Sequence, residues 1–177
     1  IALTLCRLGS CCIATDEYDK GLKYYEESLS YTQGFDKIIL LIQMGTLYHE
    51  QHSLAAASDC FRRALQNLSS DKIRTSKKDE KIVFGNNNVK CALLNRLGNV
   101  YLADKNYEDA MKCFKQAHKL CENTDTLYSM GFLHLRRRLY HKAEAYLQHS
   151  MRLCVKNKNT NSPSSLNENC AVILNNM

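Results

Sequence analysis

Residues 94–117 read Leu94-Asn-Arg-Leu-Gly-Asn-Val-Tyr-Leu-Ala-Asp-Lys-Asn-Tyr-Glu-Asp-Ala-Met-Lys-Cys-Phe-Lys-Gln-Ala117. Leu94, Leu97 and Tyr101 recur at intervals of three and four, as do Ala110, Phe114 and Ala117, and this spacing puts side chains on one stripe of an α-helix. Between the two stripes, Asp104-Lys105-Asn106 is polar and poor in helix propensity, which makes a short turn. The stretch therefore predicts two amphipathic helices folded into a hairpin. Gly98 and Ala110 are small enough to let the helices approach closely, while Leu94, Leu97, Tyr101, Phe114 and Ala117 face one another. One hairpin of this size cannot bury both its faces, so it requires neighbours of its own kind.

Aligned on Gly98, the chain returns the same pattern at Gly9, Gly45 and Gly131. A large apolar residue precedes each glycine: Leu8, Met44, Leu97 and Met130. Three residues before these stand Leu5, Leu41, Leu94 and Leu127, and three after the glycines stand Cys12, Tyr48, Tyr101 and His134. The second helix opens at Tyr18, Leu54, Tyr107 and Tyr140, followed by the small residues Gly21, Ala57, Ala110 and Ala143. Further along it come Tyr25, Phe61, Phe114 and Leu147, then Ser28, Ala64, Ala117 and Ser150. Four copies agreeing in this way define a repeat.

The repeat resembles the tetratricopeptide repeat (TPR) family over about 135 of the 177 residues. None of the four copies carries the family's Trp, the sole proline is Pro163, and the glycines are 36, 53 and 33 residues apart against a family period of about 34. The long interval marks an insertion between repeats two and three. The resemblance implies an all-α, right-handed superhelical solenoid in a single array, with repeats at about 2–35, 38–68, 89–122 and 124–156. The expected helices are 2–14, 18–31, 37–51, 54–68, 89–104, 107–121, 125–138 and 140–155, with Gln33-Gly34 stopping the second. Residues 69–88 are expected to be a basic, mobile loop with at most one helical turn near 79–84, and 157–169 a polar linker. Ala171–Met177 repeats the pattern of Cys91–Leu97, so a truncated fifth repeat, and hence a longer parent protein, is expected.

The composition is that of an ordinary globular chain, 45% hydrophobic and 24% charged, with a formal net charge of +6. No apolar run approaches the ~18 residues that span a bilayer, which argues against membrane insertion, and the opening Ile-Ala-Leu-Thr-Leu-Cys-Arg lacks the features of a signal peptide. The nine cysteines include no Cys-x-x-Cys pair and fall on helical positions, as at Cys60 and Cys113, so they are expected to be reduced thiols packing as small hydrophobes. That points to the reducing interior of a cell, with the cytoplasm expected and the nucleus as the alternative. His49-x-x-His52 is the single metal-like spacing and has no third ligand, so no metal and no cofactor are expected. With no phosphate loop and no nucleophile motif, the chain is not read as an enzyme.

In the TPR family the first helices line a concave groove. Carried over by position, the lining comprises Leu3, Cys6, Arg7, Ser10 and Ala14 in repeat one and Ile39, Ile42, Gln43, Thr46, His49 and Glu50 in repeat two. Repeat three supplies Ala92, Asn95, Arg96, Asn99 and Ala103; repeat four supplies Asp125, Tyr128, Ser129, Phe132, Leu135 and Arg136. The expected peptide-binding set is Arg7, Ser10, Gln43, Thr46, Asn95, Arg96, Asn99 and Ser129, with amides gripping a peptide backbone and arginines meeting carboxylates. The resemblance thus implies a scaffold or adaptor that holds a peptide segment or helix of a protein partner, an acidic one among the candidates. The alternative is a structural spacer or self-association segment, with weak RNA binding as an outside reading because the basic residues are scattered. The carboxylate clamp of the chaperone-binding TPR proteins is not reproduced, since Cys6, Ser10 and Ala92 stand where its polar residues belong.

Overall fold

The computed structural model describes residues 1–70 and 80–158. Its elements are α1 (Ala2–Ala14), α2 (Tyr18–Tyr31), α3 (Gly34–Glu50), α4 (Leu54–Ser70), α5 (Glu80–Ala103), α6 (Tyr107–Leu120), α7 (Thr124–Arg136) and α8 (Tyr140–Lys158). Among the described residues there is no strand. The helices pair in chain order as four hairpins, one for each repeat.

All four hairpins use one turn. Asp16, His52, Lys105 and Arg138, at equivalent repeat positions, take φ of 61°, 58°, 61° and 59°. The next amide in each turn donates back across it: Glu17 N to Cys12 O at 2.8 Å, Ser53 N to Tyr48 O at 2.8 Å, Asn106 N to Tyr101 O at 2.8 Å and Leu139 N to His134 O at 2.9 Å. These bonds satisfy carbonyls that the end of the first helix would otherwise leave unpaired. Arg137 caps α7 and Arg138 is the left-handed residue of the turn, so α7 stops at Arg136 and does not reach the expected Arg138. Between hairpins one and two, Thr32 and Gln33 are extended and Gly34, at φ 61°, opens α3; it starts the next helix and is not the stop of α2.

Within each hairpin the glycine of the first helix receives the large side chain of the second. A Cβ on Gly9 would lie 2.6 Å from Tyr25 Cδ1, on Gly45 2.7 Å from Phe61 Cε1, on Gly98 2.5 Å from Phe114 Cε1 and on Gly131 2.8 Å from Leu147 Cγ. Any other residue there would have to push the ring or Leu side chain aside. Ser28 and Ser150 add a second tie, donating to Ala2 O and Thr124 O at 3.0 Å each. At the same position in the other two hairpins, Ala64 and Ala117 are fully buried.

The described residues form two compact units, divided between Asn86 and Asn87. In the first, Leu22 and Tyr25 of α2 pack with Leu40, Met44 and Leu47 of α3 and Cys60 of α4, while Cys6 and Ile13 of α1 close one side. In the second, Ala110 and Phe114 of α6 pack with Met130 and Leu133 of α7, flanked by Tyr101, Tyr107 and Tyr146. Each buried Phe or Leu contributes roughly 1.5–3 kcal/mol of burial free energy.

Two segments depart from expectation. The loop expected at 69–88 is helical at both ends, because α4 runs to Ser70 and α5 begins at Glu80. Residues 80–88 contain no proline to break the helix. The Gly85-Asn-Asn-Asn run costs ~0.7–1 kcal/mol per residue relative to alanine and hid the helix from a pattern-based reading. Residues 157 and 158 of the expected linker belong to α8. The remaining parts of both segments, 71–79 and 159–169, and the expected fifth repeat at 171–177, lie outside the described residues.

Candidate interaction surface

The first helices α1, α3, α5 and α7 bury one stripe and expose another, and the expected groove residues divide accordingly. In the first unit Arg7 and Gln43 are exposed on α1 and α3. Ser10 is also exposed, but its hydroxyl lies 3.0 Å from Tyr25 Oη and donates to Cys6 O at 3.0 Å. Thr46 is half-buried and donates to Ile42 O at 2.9 Å. These two hydroxyls tie the helices internally. Nearby, the Tyr48 phenol donates to Glu26 Oε1 at 3.1 Å; burial, and then the Glu26 charge, push its pKa up to about 12.

In the second unit Arg96 and Asn99 are exposed on α5, whereas Asn95 and Ser129 are buried at 8% and 9% exposure. Asn95 belongs to a polar chain between α5 and α7. Its Nδ2 donates to Thr126 Oγ1 at 2.7 Å, and Thr126 Oγ1 donates to Asn123 Oδ1 at 2.6 Å. Asn123 Oδ1 also accepts from Thr126 N at 2.7 Å, which caps α7, and Asn123 Nδ2 donates to Cys91 Sγ at 3.5 Å. Buried polar groups linked in this way fix the register of two helices, because each would cost ~1–3 kcal/mol if left unpaired.

One feature of this surface was absent from the expected binding set. Tyr128, Phe132 and Arg136 follow one another at intervals of four along α7. The first two rings are half-buried and nearly parallel, 12° apart with centroids at 6.4 Å, and Arg136 Cζ sits 5.1 Å from the Phe132 centroid. Tyr128 to Arg136 is a column with an aromatic face and a cationic end, continued by the exposed Arg137 and Arg138. The i, i+4, i+8 spacing was visible in the sequence; the stacking was not.

His134 is buried, its ring stacked 5.4 Å from Tyr146, and its Nδ1 has no partner. Burial, followed by the charges of Lys142, Arg137 and Lys115, lowers its pKa from the ordinary 6.5. Burial pushes the Cys113 thiol up to about 11, and that of Cys60 upward as well. Cys91 and Cys121 are not the reduced thiols expected of them: they are joined by a disulfide with a Cα–Cα distance of 6.5 Å, and Cys154 is disulfide-bonded too. The two helices of hairpin three bring together cysteines that stand 30 residues apart in sequence. Cys6, Cys11, Cys12, Cys60 and Cys113 are free. Among the described residues no three His, Cys, Asp or Glu side chains gather as metal ligands, and no helix is long and apolar enough to cross a membrane.

Repeated helical hairpins, each locked by a glycine against a ring or leucine and closed by the same left-handed turn, define an α-hairpin repeat protein. Tetratricopeptide-repeat models match residues 1–70 and 92–123, and the chain belongs to the tetratricopeptide repeat family. Among curated proteins no relative of the chain is found. Solved structures with a similar fold include the Cut9–Hcn1 hetero-tetramer of the APC/C, with a TM-score of 0.66 at 18% identity over 98% of this chain and 29% of that one. Aspartyl phosphate phosphatase F from Bacillus subtilis aligns with a TM-score of 0.71 at 17% identity, over 87% of this chain and 40% of its own. BtubC from P. vanneervenii gives 0.72 at 14% identity, over 93% and 66% respectively. The chain thus spans less than two thirds of each of these relatives, and at such identities the likeness concerns the fold.

Proposed function

We propose that the protein is a non-enzymatic interaction scaffold that holds a peptide segment of a protein partner on the exposed face of α5 and α7, the first helices of its second unit. The observation that carries this reading is the Tyr128–Phe132–Arg136 column on α7, next to the helix that exposes Arg96 and Asn99. Stacked, half-buried rings offer a flat apolar surface to a partner side chain, and aromatic anchors of this kind dominate interface energetics. The exposed Asn99 amide can both donate to and accept from a peptide backbone. The cations at Arg136, Arg137 and Arg138 favour acidic groups at one end of the segment, and the stacked rings beside them fit an acidic peptide with an apolar side chain. Arg7 and Gln43 give the first unit a smaller polar counterpart.

Similarity in fold to a subunit of a multi-protein assembly agrees with a scaffold role, although another structure of the same fold is named as a phosphatase. The fold therefore does not choose between them, and the non-enzymatic reading rests on the chemistry of the exposed face. Five free cysteines favour a reducing, cytoplasmic setting, whereas the disulfide-bonded Cys91, Cys121 and Cys154 favour an oxidising one. The test is affinity capture from cell lysate with the native chain and with an Asn99→Ala/Phe132→Ala variant whose helicity is verified by circular dichroism. A partner held by the native chain and lost by the variant supports the assignment; identical capture by both refutes it.

A further inference from the structure

We propose that the Cys91–Cys121 bond is a reversible redox staple that sets the register of α7 against α5, and through it the geometry of the interaction surface. The bond joins the buried Cys91 of α5 to Cys121, the half-exposed residue that ends α6 and opens the connection to α7. Cys91 Sγ is also the acceptor for Asn123 Nδ2, and the same Asn123 caps α7 and reaches Asn95 through Thr126. A continuous chain of bonds thus leads from the sulfur pair to the helix pair that carries Asn99 and Phe132.

Two observations make the bond one that opens and closes. The first is its company: beside the disulfide-bonded Cys154, the five cysteines Cys6, Cys11, Cys12, Cys60 and Cys113 remain free, Cys11 being exposed. A chain held permanently oxidised seldom leaves five thiols unpaired, whereas bonds that form in reducing compartments are typically transient and redox-sensing. The second is the asymmetry of the pair. Cys91 is 1% exposed and Cys121 is half-exposed, so an incoming thiolate attacks Cys121 Sγ in preference and expels Cys91 as the leaving thiolate. The Asn123 amide donates to that departing sulfur, which assists its release.

The exchange balances with a small thiol such as glutathione. One thiolate attacks Cys121, the S–S bond breaks, and a mixed disulfide forms with Cys91 as thiolate. A second thiolate then resolves the mixed disulfide, leaving Cys91 and Cys121 as thiols and releasing glutathione disulfide. The two electrons come from the two small thiols, the two protons end on the cysteines, and glutathione disulfide drives the reverse reaction. Once the bond is open, residues 121–123 are tied to α5 only through hydrogen bonds, and the first turn of α7 opens more often.

The proposal builds on the assigned surface only for its consequence, so its test uses no partner. The full chain is equilibrated in glutathione buffers from reduced to oxidised. Differential alkylation with tryptic mapping of 91–96 and 120–136 then reports the bonded fraction. Hydrogen exchange is followed at residues 122–127 in the same samples. The expected result is a bond that forms and breaks across the buffer range, with exchange at 122–127 about tenfold faster in the reduced protein while α2 is unchanged. Cys121→Ser, at the accessible position, is expected to exchange fast in every buffer, and Cys91→Ser serves as the second variant. A pair that stays reduced in oxidised glutathione, one that survives reduced glutathione, or exchange that is equal in the two states each overturns the proposal. None of these outcomes bears on whether the surface binds a peptide, and failure of peptide binding leaves the staple untouched.

Discussion

Asp16, His52, Lys105 and Arg138 hold the left-handed conformation in four turns without a glycine among them. For an L-residue that backbone costs roughly 1–2 kcal/mol, least for Asn and Asp and most for β-branched side chains. Lys105→Val is therefore expected to lower stability by a further ~1 kcal/mol or more while Lys105→Asn is neutral or better, as read from urea denaturation. These turns were legible as polar breaks, but no residue type announced the sign of φ. His134 carries a second residue-scale prediction. Its folded pKa lies below 6.5, so in the window between the two values the unfolded chain binds more protons. The stabilisation is complete above pH 6.5 and is lost as pH falls towards the folded pKa. Between about pH 7.5 and about pH 5.5 the urea midpoint should drop in the native protein and drop less in His134→Tyr, the residue that repeats two and three carry at this position. Equal pH slopes in the two proteins would contradict this role for the imidazole.

At the scale of elements, the pairing of glycine with a ring or leucine explains why the repeat could be read at all. Gly98 against Phe114 and Gly131 against Leu147 are the same contact with different partners, so the spacing survives although the residues vary. Gly98→Ala is expected to cost about 1–3 kcal/mol by overpacking, and Phe114→Leu in the same chain should recover part of it because Leu is what faces Gly131. Strictly additive losses in a double-mutant cycle would show that the two sites do not meet. Other element-scale features lay beyond the sequence. The N-terminal part of α5 was masked by Gly85 and three asparagines, whose propensities argue for a loop. Asn95 looked like a groove residue because its position along α5 is right, yet it turns towards Thr126 and is spent on helix register. The Cys91–Cys121 bond became visible only once hairpin three was closed, since linear spacing suggests no pair.

For the molecule as a whole, the sequence carried the class of fold and the helices that present the surface; which side chains remain available depended on packing. Of the expected set, Arg7, Gln43, Arg96 and Asn99 are exposed, and the aromatic column on α7, which that set lacked, is the anchor we propose. The net charge of +6 and the exposed Arg136–Arg138 run predict that partner affinity falls as salt is raised from about 50 to about 500 mM, because exposed charges are screened over a shorter distance. An affinity indifferent to salt would remove the acidic preference and leave the apolar column as the main determinant. The most direct measurement is selection from a displayed random-peptide library on the oxidised native chain, followed by affinity measurements with Phe132→Ala and Asn99→Ala. The expected result is a shared motif with an apolar or aromatic residue beside acidic ones, bound at least ~10-fold more weakly by each variant. A library that yields no shared motif, or peptides bound equally by native and variant chains, would contradict the assignment of this face as the binding surface.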